Sequence, residues 1–188
     1  MHSASIYNFI YPDMIKNDLF FYLIQMGLCK DCKSDSKLIW STRECARAAK
    51  HGHLKCLMYL HENGYIWDAR ACEYAAQGGY LECLVYLHEN GCPWGTQTCH
   101  VAASGHLECL KYLHENGCPW DSGACGKAAD GHLECLIYLY ENGCPWSSCL
   151  YFTTNHLECL MYLRENGAEL PLGACSGAAD NGNFECLT

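Results

Sequence analysis

The sequence lacks any block of like charge longer than a few residues, although twelve Lys plus Arg stand against 21 Asp plus Glu for a formal charge of −9. Nothing in it resembles a phosphate-tracking patch, which sets nucleic acid aside as a partner. It also lacks a long apolar run. The longest, "LFFYLIQM" at 19–26, falls far short of the roughly 20 residues that span a bilayer, so no membrane role is expected. The opening "MHSASIYNFIYPDMIKND" has no basic start, no clean apolar segment and no small-residue cleavage site. A cytoplasmic or nuclear location, not a secreted one, is therefore expected.

Paired ligand spacings are also scarce. Structural zinc needs four converging ligands, usually from paired CxxC or HxxxH spacings, and the single CxxC, Cys29 to Cys32, has no second pair near it. His106 and Cys109 are three apart on one expected helix, but His106 falls at its start, where it is expected to order the turn by hydrogen bonding. No metal site and no cofactor are expected. Catalysis calls for a constellation that breaks the repeat and joins nucleophile, base and orienting group. His100, the one histidine in a first helix, has no such partner in sequence, and no catalytic residue is assigned.

What is present is repetition. "HLECLKYLHENGCPW" at 106–120 has near-copies at 53–67, 80–94, 132–146 and 156–170, and "NFECLT" at 183–188 stops partway. Anchored at Gly52, Gly79, Gly105, Gly131, Asn155 and Gly182, the periods are 27, 26, 26, 24 and 27 residues, which signals a solenoid. Each unit reads as two helices. In the second, Leu107, Cys109, Leu110, Tyr112 and Leu113 cover more than one stripe, as a helix sandwiched between neighbours requires. Asn116-Gly117 ends it and Pro119 blocks continuation. In the first, Ala-Ala pairs such as Ala102-Ala103 allow close helix approach.

Seventeen cysteines would suggest a disulfide scaffold, but twelve of them fall into two repeat columns, one led by Cys45 and Cys72 and the other by Cys56 and Cys83. Reduced cysteine is a small, habitually buried apolar residue, so both columns read as core. Three more follow the NG, at Cys92, Cys118 and Cys144. All five tryptophans sit three or five residues before a first-helix cysteine, as an aromatic wedge between units would.

"AASGHLECLKYLHENG" at 102–117 resembles the ankyrin-repeat core pattern AAxxGHxxIVxLLLxxGA, with Cys109 and Leu110 in the Ile-Val places. The resemblance runs from about residue 40 to the end. It implies an all-α solenoid of stacked antiparallel helix pairs. Because these units are six or more residues shorter than the family's usual ~33, the β-hairpin fingers are expected to shrink to a "CPW" turn. Short Cys- and Trp-bearing units of this sort resemble the ankyrin-like arrays of large DNA viruses of amoebae and of protists, which would place the chain in a host cell or virion.

The expected organisation is an N-terminal capping helix and loop at 1–39, then six units at 40–188 with the last truncated. Residues 12–26 admit two readings. One is a degenerate cap. The other rests on "YPDMIKNDLFFYL", similar to the opening F-box helix LPxEIxxxIFxYL at Pro12, Ile15, Leu19, Phe20, Tyr22 and Leu23; that likeness implies an adaptor recruiting a cullin ubiquitin ligase.

Two first-helix columns change from unit to unit, and framework positions do not. They place Arg47, Glu73, Tyr74, His100, Lys127, Leu150 and Tyr151 on a surface that is either a partner-binding face or merely solvated. The expected function is a scaffold binding another, unidentified protein. A third reading is assembly or self-association through an apolar C-terminal end, with Leu157, Leu160 and Leu163 partly open. The fifth unit, with Phe152-Thr153 in place of Ala-Ala, is expected to change the curvature near 146–156.

Overall fold

The computed structural model describes residues 42–145 and 156–167. Their helices are α1 (Thr42–Lys50), α2 (Leu54–Glu62), α3 (Ala69–Gln77), α4 (Leu81–Glu89), α5 (Thr96–Ala102), α6 (Leu107–Glu115), α7 (Ser122–Ala129), α8 (Leu133–Glu141) and α9 (Leu157–Glu165). No strand occurs among the described residues. The connections at 63–68, 90–95 and 116–121, where fingers would stand, carry turns and irregular chain only. The fold is an all-α stack of helix pairs.

Its two layers follow from side-chain size. The first helices α1, α3, α5 and α7 pack like against like, as do the second helices α2, α4, α6, α8 and α9, and each first helix also packs on the second helix of its unit. The first-helix layer is the tighter one. Ala48, Ala49, Ala75, Ala76, Ala102, Ala103, Ala128 and Ala129 are fully buried, and only methyl groups allow backbones this close. In the second layer a Cys-Leu-x-x-Leu stripe is buried in every helix, for example Cys109, Leu110 and Leu113 in α6. Both cysteine columns are core: Cys45, Cys72, Cys99 and Cys125 in one, and Cys56, Cys83, Cys109, Cys135 and Cys159 in the other, are at most 1% exposed.

The "ENG" ending works as its chemistry suggests. Gly117 takes φ 77°, Gly117 N–H donates to His114 O at 3.0 Å and Cys118 N–H to Leu113 O at 2.9 Å. That is the paired closure in which a left-handed residue satisfies the last carbonyls. Asn116 adds Nδ2–H to Tyr112 O at 2.8 Å.

The helix-start histidines act differently from expectation. None of His53, His106, His132 and His156 makes a side-chain cap hydrogen bond, nor does Tyr80 in the same column. Instead the rings of Tyr80, His106, His132 and His156 lie on the turn glycine of the preceding unit. A Cβ on Gly79, itself at φ 71°, would fall 2.5 Å from His106 Nδ1. The turn is ordered by packing: the glycine lets the backbone turn and leaves room for the ring.

The expected curvature change at 146–156 and the truncated last unit lie outside the described residues. Of the three leucines expected to leave an open end, Leu160 is 5% and Leu163 0% exposed, and Leu157 is half-buried. The exposed apolar residue of α9 is Met161.

Candidate functional site

The variable columns sit on the first helices between buried framework residues. In α3, Glu73 and Tyr74 are half-buried and flanked by buried Cys72 and Ala75. In α1, Arg47 is half-buried between Ala46 and Ala48, both buried. In α7, Lys127 is exposed, next to buried Ala128. Helical spacing brings these positions to one side of the stack. Ala46, at 3% exposed, takes no part in the surface. Leu150, Tyr151 and the N-terminal set Pro12, Ile15, Leu19, Phe20, Tyr22 and Leu23 lie outside the described residues.

Side chains from successive units meet across this face. Lys50 Nζ stands 5.7 Å from the Tyr74 ring centroid, a cation–π contact between neighbouring first helices. Within a single unit, Lys127 Nζ lies 3.7 Å from Asp130 Oδ2. His100 Nε2 pairs with Asp121 Oδ1 of the next unit, and Asp121 also accepts from Gly123 N–H at 2.8 Å as the N-cap of α7. The His100 hydrogen bond, then that of Gly123, holds the Asp121 carboxyl below the usual carboxylate range. Asp68, the N-cap of α3, is lowered first by its hydrogen bonds from Arg70, whose Nη2 also donates to Thr42 Oγ1 at 2.8 Å. The caps therefore clasp units together as well as starting helices. His100 acquires the partner its sequence context did not reveal, and that partner is structural.

A second periodic constellation lies at the other end of the second helices. His88 stacks on Trp94 at 3.8 Å between ring centroids, and its Nδ1 is 2.9 Å from Tyr112 Oη of the next unit. His61, Trp67 and Tyr86, and His114, Trp120 and Tyr138, repeat the arrangement. Each described tryptophan thus wedges between its own unit and the next. The tryptophan part was legible from the sequence; the histidine and tyrosine were not. Their signal was the constant offset of His, Trp and Tyr across copies.

The chemical capacity of the site is limited. Burial pushes Cys109 up to about 11 and Cys45 up to about 12, so these core thiols stay protonated at neutral pH and are poor nucleophiles or ligands. Among the described residues no group of three or more His, Cys, Asp or Glu is placed to hold a metal ion. No described helix is long and apolar enough to cross a membrane. What the arrangement offers is a rigid, stepped surface with a different side chain on each step.

Residues 45–88, which run from within α1 to the penultimate residue of α4, match the family described as ankyrin repeats (many copies). The pairs α5–α6 and α7–α8 repeat that stretch's arrangement of buried Ala-Ala, Cys-Leu and glycine turns. Ankyrin repeats generally mediate protein–protein interaction. No curated protein matches the chain.

Proposed function

We propose that this chain is a protein-interaction scaffold that needs no cofactor and binds another protein through its first-helix face, with Arg47, Glu73, Tyr74, Lys127, Leu150 and Tyr151 as the contact set. His100 holds the geometry of that face through Asp121. One observation carries the reading: apart from buried Ala46, the described residues of the two columns change chemistry from unit to unit at half-buried or exposed positions, between neighbours that are buried and nearly constant. A scaffold separates framework from specificity in this way. Tyr74 is the strongest single anchor, because an aromatic side chain offers contact area at low entropy cost.

The test is affinity purification with mass spectrometry from the native cell, followed by direct binding of the captured partner. Replacing Arg47, Tyr74 and Lys127 by alanine together should weaken binding at least tenfold with the melt unchanged. Replacing Glu82, Glu108 and Glu134, exposed on the second helices, by glutamine should leave it intact. The reverse pattern would move the binding face to the second helices.

A further inference from the structure

The turn cysteines belong neither to the core stripes nor to the variable face. Cys92, Cys118 and Cys144 are each 4% exposed, beside exposed prolines 93, 119 and 145. Each thiol donates to the carbonyl that opens the first helix of its own unit: Cys92 to Asp68 O at 3.3 Å, Cys118 to Gly95 O at 3.4 Å and Cys144 to Asp121 O at 3.3 Å. That position brings each against the first-helix thiol of its unit. Cys72 is hydrogen-bonded to Cys92, Cys99 to Cys118 and Cys125 to Cys144. Cys99 Sγ lies 3.9 Å from the Cys118 carbonyl oxygen and Cys125 Sγ 4.0 Å from that of Cys144. Among the described residues no second thiol bonds Cys83 or Cys109 in this way, and the unit of Cys45 has Tyr65 at the turn position.

We infer that Cys72 with Cys92, Cys99 with Cys118 and Cys125 with Cys144 are three oxidisable dithiols, each closing to a disulfide inside its own unit when the protein meets a small peroxide. The sulfurs are not equivalent. The side-chain hydrogen bond with the turn thiol, then burial, pushes Cys72 and Cys99 up. Accepting it from Cys125 pulls Cys144 down. The turn sulfur, 4% exposed against 0% for the helix thiol, is the one a small oxidant reaches first.

The turn thiolate attacks one oxygen of hydrogen peroxide, the O–O bond breaks, and hydroxide leaves to take up the thiol's proton as water, giving a sulfenic acid. The helix sulfur then attacks the sulfenic sulfur. The S–O bond breaks, and that hydroxyl leaves as water with the helix thiol's proton. Two thiols and one peroxide give one disulfide and two waters; the sulfurs lose the two electrons the peroxide gains. The new bond ties the first helix to the exit of the second, so it restricts the unfolded chain of that unit.

The full chain, freed of reductant, is exposed to hydrogen peroxide, alkylated under denaturing conditions and mapped by mass spectrometry without reduction. Cystine peptides joining 72 to 92, 99 to 118 and 125 to 144 are expected to appear before Cys45, Cys83 or Cys109 is oxidised. The oxidised protein is expected to melt at a higher temperature, with the increase reversed by dithiothreitol. In Cys118→Ala the 99–118 link alone should vanish while Cys99 stays alkylatable; if that variant does not fold, the order of oxidation in the unaltered chain decides the matter. Random pairing between units, or oxidation of Cys83 and Cys109 as fast as the three pairs, would overturn the inference.

Discussion

The unit that ends in Tyr65-Ile66-Trp67 and two of the three that end in Cys-Pro-Trp, at 92–94 and 118–120, close the same way with different side chains. Tyr65 N–H reaches Leu60 O at 3.0 Å, and Cys92 N–H reaches Leu87 O at 2.9 Å. Backbone closure therefore depends on Asn-Gly and not on the three residues after it. The ring stack does depend on those three. Trp67 lies on His61 at an interplanar angle of 38°, whereas Trp94 and Trp120 lie on their histidines at 17° and 19°. Without proline, Ile66 is 61% exposed and the adjoining indole is less parallel to its partner. Framework and turn are separable: the first sets the fold, the second adjusts how units grip and supplies the thiol pairs.

If the framework is equivalent in both kinds of unit, Leu57→Ala and Leu110→Ala should be equally damaging. Both leucines are fully buried, and each change should cost about 2–5 kcal/mol in denaturant unfolding. A large cost at one and a small cost at the other would show that the units do not share a framework.

The two kinds of cysteine should then part. Cys109→Ser puts a hydroxyl among leucines with no assured partner and should cost about 1–3 kcal/mol. Cys118→Ser places its hydroxyl where a thiol already donates to Gly95 O, so the loss should stay below about 1 kcal/mol. Paired chemical denaturation of the two variants checks the order.

Ile66→Pro would turn the first kind of closure into the second. Proline already occupies the matching place at 93 and 119, so the change should stabilise by about 0.4–1 kcal/mol, as a compatible proline does. It should also sharpen the near-ultraviolet signal of Trp67 toward that of the stacked indoles; a loss of stability would mean that the turns differ in backbone.

The smallest effect concerns acid. The folded carboxyls of Asp68 and Asp121 titrate below their unfolded range, so the unfolded chain binds more protons as the pH drops. The stability they contribute is present above the ordinary carboxylate range and fades as the pH falls through their folded values. Both are well exposed, so Asp121→Asn should flatten the acid limb of a melting-temperature profile only slightly. His100→Ala should do the same, because it removes the partner that lowers Asp121.

Much of the fold was legible because helix pairing depends on local signals. The 26- to 27-residue spacing, the Ala-Ala pairs and Asn-Gly each speak for their own unit, and α6 lies within a residue of where the sequence puts it. The clasps were less legible. His88 with Tyr112, His100 with Asp121, and His106 on Gly79 each join one unit to the next. Taken one unit at a time, each of these is a surface histidine, whereas the contact exists only when two copies are stacked. The thiol pairs were hidden for a related reason: Cys99 and Cys118 meet only after the second helix has returned the chain to the start of its own unit.

Reduced thiols, alanines and leucines form the packed core of the stack. Far-ultraviolet circular dichroism of the full chain through a thermal melt, in strong reductant with and without a tight chelator, tests this most directly. Full helicity and the same melting temperature are expected in both; loss of helicity on adding chelator would contradict a core of reduced thiols that packs without a metal.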